Sequence, residues 1–120
     1  MATLNTTLSL SSTTVASNSL SLSIADVLNV QNPVTGLSRV SIATGSPTEL
    51  IAASVSADTY IYIKNTETAN HLEVKTAGGT HFGRLRAGEA IFLCVKGSVG
   101  IEVQADTAAI VAEYATFTVE

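Results

Sequence analysis

Three features of this sequence predict an all-β fold, a small β-sandwich or jelly roll of about eight to ten short antiparallel strands. Apolar and polar residues alternate with period two in one segment after another, so each segment can turn one face to a core. Turn-forming residues interrupt these segments about every 8–12 positions. Strong helix formers are sparse, and β-branched residues are interleaved with Ser and Gly.

Residues 1–18 are dominated by Ser, Thr, Leu and Ala and hold no charged side chain. Leu4, Leu8, Leu10 and Val15 give them the pattern of an edge strand, or of an arm that orders against a neighbouring molecule through main-chain hydrogen bonds. Leu20, Leu22 and Ile24 then alternate with Ser19, Ser21 and Ser23, as in a half-buried strand facing a core. Asn32-Pro33 and Gly36 close that strand, and Gly45-Ser46-Pro47 closes the next. In Thr59-Tyr60-Ile61-Tyr62-Ile63-Lys64 the isoleucines take one face and the tyrosines the other. Residues 65–70 read as a hairpin loop joining this strand to His71-Leu72-Glu73-Val74-Lys75. Gly78-Gly79, Ala87-Gly88-Glu89 and Lys96-Gly97-Ser98 mark further turns. Between the last two lies the apolar run Ala90-Ile91-Phe92-Leu93-Cys94-Val95, and Val99-Gly100-Ile101-Glu102-Val103-Gln104 alternates again. Residues 108–119 form a long β-rich run that one bent strand accommodates. The chain thus divides into an arm or edge strand over residues 1–18 and a sandwich domain over residues 19–120.

A chain of 120 residues has room for one such domain. Charged residues are 13% of it, about half of the roughly 25% typical of globular domains. A free monomer keeps a charged surface for solubility, so weak charging points to a surface that faces other protein. The six basic residues are scattered and the net charge is −4. Phosphate backbones are held by clustered basic charge, so no direct nucleic-acid contact is expected. No apolar run is long enough to span a bilayer, and residues 1–18 lack the layout of a secretory signal, so no membrane partner is expected either. Cys94, the one cysteine, sits in an apolar run and reads as a small buried hydrophobe.

Enzymatic signatures are missing from the pattern. There is no Gly-rich phosphate loop and no nucleophile elbow. His71, His81 and Glu73 are the residue types of a two-His, one-carboxylate metal set. A cupin-like jelly roll, however, uses His-x-His and a further histidine, and this chain has two histidines ten positions apart. They read as solvent or interface histidines. Glu67, Glu73, Glu89, Glu102 and Asp106 read as solvent-exposed carboxylates rather than a glycosidase pair, and there is no Trp to line a sugar cleft. Tyr60 and Tyr62 share one strand face and read as an interface. The expectation is a protein that is not an enzyme, with no catalytic residue, metal, cofactor or small-molecule substrate. Its candidate interface residues are Leu4, Leu8, Leu10, Val15, Tyr60 and Tyr62.

Three stretches carry a resemblance: Tyr60-Ile61-Tyr62-Ile63-Lys64-Asn65-Thr66, Gly83-Arg84-Leu85-Arg86-Ala87-Gly88-Glu89-Ala90-Ile91-Phe92, and Gln104-Ala105-Asp106-Thr107-Ala108-Ala109-Ile110-Val111-Ala112-Glu113-Tyr114. With Leu20-Ser21-Leu22-Ser23 and Leu37-Ser38-Arg39-Val40-Ser41, they resemble a family of small virion structural proteins of tailed bacteriophages of aquatic and marine bacteria, cyanophages among them. The resemblance covers roughly residues 19–120 and brings no catalytic or metal position with it. It implies a capsid decoration (cement) protein, assembled in the host cytoplasm and located in the virion. Its implied partners are further copies of itself, as a homotrimer, and the major capsid protein or another virion protein. A tail or fibre structural subunit, or a receptor- or carbohydrate-binding module on the tail, are the alternatives.

Overall fold

The period-two pattern becomes ten strands in a computed structural model, which describes residues 2–13, 20–31 and 36–120. They are β1 (Ala2–Ser12), β2 (Leu20–Val30), β3 (Ser38–Ile42), β4 (Thr48–Ile51), β5 (Thr59–Asn65), β6 (Leu72–Thr76), β7 (His81–Leu85), β8 (Ala90–Val95), β9 (Ile101–Ala105) and β10 (Ile110–Thr118). All strand pairs are antiparallel, and there is no helix among the described residues.

Strands β3 to β10 form a jelly roll. One sheet has the order β3-β10-β5-β8 and the other β4-β9-β6-β7. The pairs β3/β10, β4/β9, β5/β8 and β6/β7 nest inside one another along the chain, as in one long hairpin rolled into two facing sheets. The tip of that hairpin is the turn at Gly78-Gly79, where Gly79 N–H donates to the Thr76 carbonyl at 3.0 Å.

The layer between the sheets is aliphatic. Ile42, Ile61, Ile63, Leu72, Val74, Ile101, Val103 and Ile110 are at most 1% exposed, and the buried cluster they belong to contains no aromatic ring. Short β-branched side chains are stiff and well matched to sheets stacked about 10 Å apart. Tyr114 packs at the margin of this layer.

Among the described residues one polar side chain, Asn65, is fully buried with the aliphatic layer. Its Nδ2 donates to the carbonyls of Asn70 (2.8 Å) and Leu85 (3.1 Å), and its Oδ1 accepts from Glu67 N–H (3.0 Å). Its own N–H donates to the Glu89 carbonyl, and its carbonyl accepts from Gly88 N–H. Asn65 thereby fastens the end of β5, the segment after it, the end of β7 and the turn before β8. A buried amide satisfied in this way is favourable, and stripped of its partners it is costly.

This clamp explains one departure from the sequence reading. Residues 65–70 are not a hairpin loop, because β5 and β6 lie in different sheets. Strand β5 is paired by β8 and β10, and β6 by β7 and β9, so neither offers the other a free edge. The segment instead carries the chain from one sheet to the other. Another of the crossings between sheets follows β8, where Gly97 N–H donates to Asp58 Oδ1 at 2.7 Å. A Cβ at Gly97 would run into the Ser56 carbonyl, so this corner accepts glycine alone.

Strands β1 and β2 pair along their whole length, from Ala2↔Val30 to Ser12↔Leu20, as a two-stranded ribbon. The ribbon is a unit distinct from the jelly roll, so the boundary lies after β2 rather than at residue 18. Leu20, Leu22 and Ile24 alternate as expected, yet they face no core: they are 45%, 41% and 53% exposed. Their strand spends its hydrogen bonds on β1, whose own leucines stand on the same face. Val15 and the Asn32-Pro33 turn lie outside the described residues.

Replacing Ile63 by Ala should destabilise the protein by about 2–5 kcal/mol through the cavity it leaves. Asn65→Ala should cost about 1–3 kcal/mol for each carbonyl left without a donor. Urea denaturation of each variant checks both. A loss below about 1 kcal/mol at Asn65 would remove its role as a clamp.

Candidate functional site

The two sheets of the jelly roll bury similar inner faces but present different outer ones. Residues directly opposite each other in an antiparallel pair share a face. On the β3-β10-β5-β8 sheet, the register places Tyr60 between Phe117 and Cys94, Tyr62 between Ala115 and Phe92, and Glu113 between Arg39 and Lys64. Four of the six aromatic rings of the chain therefore stand on one outer face.

The geometry of that face is ordered. Tyr60 and Phe92 stack with ring centroids 5.7 Å apart and planes 10° from parallel. Offset stacking of this kind is worth about 0.5–1.5 kcal/mol beyond the area it buries. Phe92 remains 41% exposed, while Tyr60, Tyr62 and Phe117 are half-buried. Tyr62 Oη donates to Glu113 Oε1 at 3.2 Å, and Arg39 Nη2 donates to Glu113 Oε2 at 3.3 Å. Burial raises the Tyr62 phenol above its ordinary pKa, and the hydrogen bond and charge of Glu113 add to the effect.

Cys94 belongs to this face as well. It is exposed, not buried as the apolar run around it predicts. The run alternates: Ile91 and Leu93 point inward while Phe92 and Cys94 point outward. Desolvation lifts its thiol above the usual range, with a further push from Asp58.

The outer face of the β4-β9-β6-β7 sheet is charged. Glu73 is opposite Arg84 and Gln104, Lys75 is opposite Glu102 and His81, and Glu49 is opposite Glu102. Arg84 Nη2 lies 2.7 Å from Glu73 Oε1, and Lys75 Nζ lies 3.6 Å from Glu102 Oε1. Such pairs add little stability, but they keep a sheet face wet. Glu67, Glu73 and Glu102 are half-buried rather than solvent-exposed, and Glu67 Oε1 accepts from Val111 N–H at 3.1 Å. His71 lies 3.7 Å from Asp106, at the opposite end of the β6–β7 pair from His81. Among the described residues, no three of His, Cys, Asp and Glu converge as a metal set.

The ribbon offers a second apolar surface. Its register puts Leu4 opposite Leu28, Leu8 opposite Ile24 and Leu10 opposite Leu22, all on one face. Leu8 is 53% and Leu10 46% exposed, and Leu4 is half-buried. The other face carries Thr3, Asn5, Thr7, Ser9, Ser11, Ser21, Ser23 and Asn29, with Ala25 and Val27 among them. Sequence reasoning found the β1 leucines and the two tyrosines. It missed the partners that complete each surface, Leu22, Ile24 and Leu28 on the ribbon and Phe92, Phe117 and Glu113 on the sheet, because register was needed to see them.

A groove of about 150 Å³ lined by Leu50, Ile51, Ala52, Val55, Thr59, Thr116 and Thr118 opens at one end of the jelly roll. Small-molecule pockets are larger, about 300–1,000 Å³, and this one is lined by no titratable side chain. Comparison with protein-family models, curated protein sequences and solved structures returns no match to this chain.

The raised Tyr62 pKa means that the folded state holds the phenolic proton more tightly than the unfolded chain does. Its contribution is complete below about pH 10 and is lost as pH rises through the raised value. Tyr62→Phe should therefore lose less stability than the wild type on going from neutral pH to about pH 11, as read by denaturation midpoints. Equal losses would contradict the assignment. Cys94 in the native protein should react with iodoacetamide without denaturant, at a lower rate than a free thiol at the same pH; no reaction until unfolding would place it in the core.

Proposed function

We propose that this chain is a non-enzymatic virion structural protein of a tailed bacteriophage, a capsid decoration (cement) protein that stabilises the shell through subunit contacts. The observation that carries this reading is the difference between the two outer sheet faces. One bears Tyr60, Tyr62, Phe92 and Phe117 beside the three charged side chains Arg39, Lys64 and Glu113, and the other bears five, Glu49, Glu73, Lys75, Arg84 and Glu102. A protein that lies on a shell has such a polarity, with the aromatic face against the major capsid protein and the charged face in solvent. Aromatic side chains are enriched at protein interfaces and charges depleted at their centres.

The mechanism is physical. The jelly roll is rigid because its aliphatic layer is closed, so it transmits load between the subunits it touches. Each contact is weak, and a shell offers many equivalent sites, so attachment through several copies multiplies affinity without new chemistry. The partners in this reading are the major capsid protein and further copies of the chain, three at a time, in a particle assembled in the host cytoplasm. The jelly roll does not by itself select a function, since the architecture serves capsid proteins, lectins and cupins alike. One observation favours a second reading, a carbohydrate-binding module on the tail: the stacked Tyr60–Phe92 pair shares its face with the Glu113 carboxylate and the Arg39 guanidinium.

Quantitative mass spectrometry of purified virions tests the proposal. A copy number approaching that of the major capsid protein is the expected result. A few copies per particle would move the chain to the tail or fibres, and absence from the particle would overturn the virion reading.

A further inference from the structure

We infer that the outer edge of β8 is a self-association site, paired antiparallel with the same edge of a second copy of this chain. The inference goes beyond the virion reading and stands whether or not that reading holds.

The jelly roll ends in four edge strands, β3, β8, β4 and β7. An exposed edge pairs with other chains unless charge, Pro or a bulge blunts it. Three of the four are blunted. The register of β4 is broken between Glu49 and Ile51, and that of β7 on β6 between Val74 and Lys75. Strand β3 carries Arg39, whose side chain is 69% exposed. Strand β8 has none of these devices. Ala90-Ile91-Phe92-Leu93-Cys94-Val95 is apolar throughout and pairs with β5 without a break, from Thr59↔Val95 to Lys64↔Ala90.

The hydrogen-bond pattern shows which groups this edge offers. Asn65 N–H donates to the Glu89 carbonyl, and such a pairing recurs at every second residue of an antiparallel ladder. The register therefore turns the main-chain groups of Ile91, Leu93 and Val95 toward β5. Those of Ala90, Phe92 and Cys94 point away from the sheet, where among the described residues no strand meets them. Burial at this edge is incomplete as well. Ile91 and Leu93 face the aliphatic layer yet are half-buried, and Phe92 is 41% exposed.

The strand itself selects its occupant. Glu89 precedes it and Lys96 follows it, and both are exposed. A second β8 laid antiparallel brings Lys96 of each copy toward Glu89 of the other, at both ends of the contact. A parallel strand would set like charges together. With the two-fold axis at Phe92, Ala90 lies opposite Cys94 and Ile91 opposite Leu93. The outward N–H and C=O groups then meet in about six hydrogen bonds, and two four-stranded sheets become continuous.

Sedimentation velocity of the full chain at micromolar concentration reads the association, and residue-resolved amide exchange locates it. The wild type should run as a pair of chains, and Phe92→Lys and Cys94→Lys should each reduce it to one. Phe117→Lys, which sets the same charge on the outer face two strands away, should leave the pair intact. Because a lysine on β8 can also loosen the sheet, exchange in the unaltered protein is the second measurement. The Phe92 and Cys94 amides should be unprotected in dilute samples and protected once the pair forms. Those of Ile91 and Leu93 should be protected throughout. A single-chain or three-chain wild type, a pair that survives both β8 variants, or Phe92 and Cys94 amides left unprotected in the pair would each overturn the inference.

Discussion

The spacing between the two sheets constrains everything else in this molecule. Stacked sheets sit about 10 Å apart, and the inward positions of β3 to β10 fill that gap with Ile, Val, Leu and Ala. A layer built this way is complete without rings. Each buried Val, Leu or Ile contributes about 1.5–3 kcal/mol, and stiff β-branched side chains lose little rotamer freedom on packing. Most of the aromatic residues consequently stand outside the core. Among the described residues Asn65 is the single fully buried polar side chain, and its five hydrogen bonds hold the crossings between sheets rather than the sheets themselves.

Apolar surface that the fold does not consume is the feature that bears on function. The outer face of the β3-β10-β5-β8 sheet carries stacked rings, and one side of the ribbon carries a leucine ladder. Both are costly to leave in water. The opposite sheet shows that the chain can make a wet outer face where one is wanted, with Glu73–Arg84 and Lys75–Glu102 across neighbouring strands. The low charge of the whole sequence is therefore unevenly spread. Five charged side chains stand on the outer face of the β4-β9-β6-β7 sheet and three on that of the other sheet, while the two ribbon strands carry one, Asp26.

Much of this was legible in the residues, and the rest failed for identifiable reasons. Period two located β5, β6 and β9, and the faces of Ile61, Ile63, Tyr60 and Tyr62 follow from it directly. Period two says which residues share a face but not what that face meets. Leu20, Leu22 and Ile24 were read as core-facing for that reason, and Cys94 as buried because its apolar neighbours hid the alternation. The hairpin expected between β5 and β6 failed because a jelly roll pairs strands distant in sequence, β5 with β10 and β6 with β9, and no local turn signal reports such pairing. The aromatic surface depended on the same long-range register, which sets Tyr60 and Tyr62 beside Phe117 and Phe92.

The central claim is that the inner aliphatic layer holds the fold without the ribbon, whose exposed leucines serve the proposed assembly. Hydrogen exchange, resolved by strand on the intact chain across a dilution series, tests it most directly. Amides of β5, β6, β9 and β10 should be slow to exchange at every concentration. Those of β1 and β2 should be fast in the most dilute sample. Ribbon amides as protected as those of β5 in the most dilute sample would contradict the account, because the leucine face would then be part of the monomer's own core.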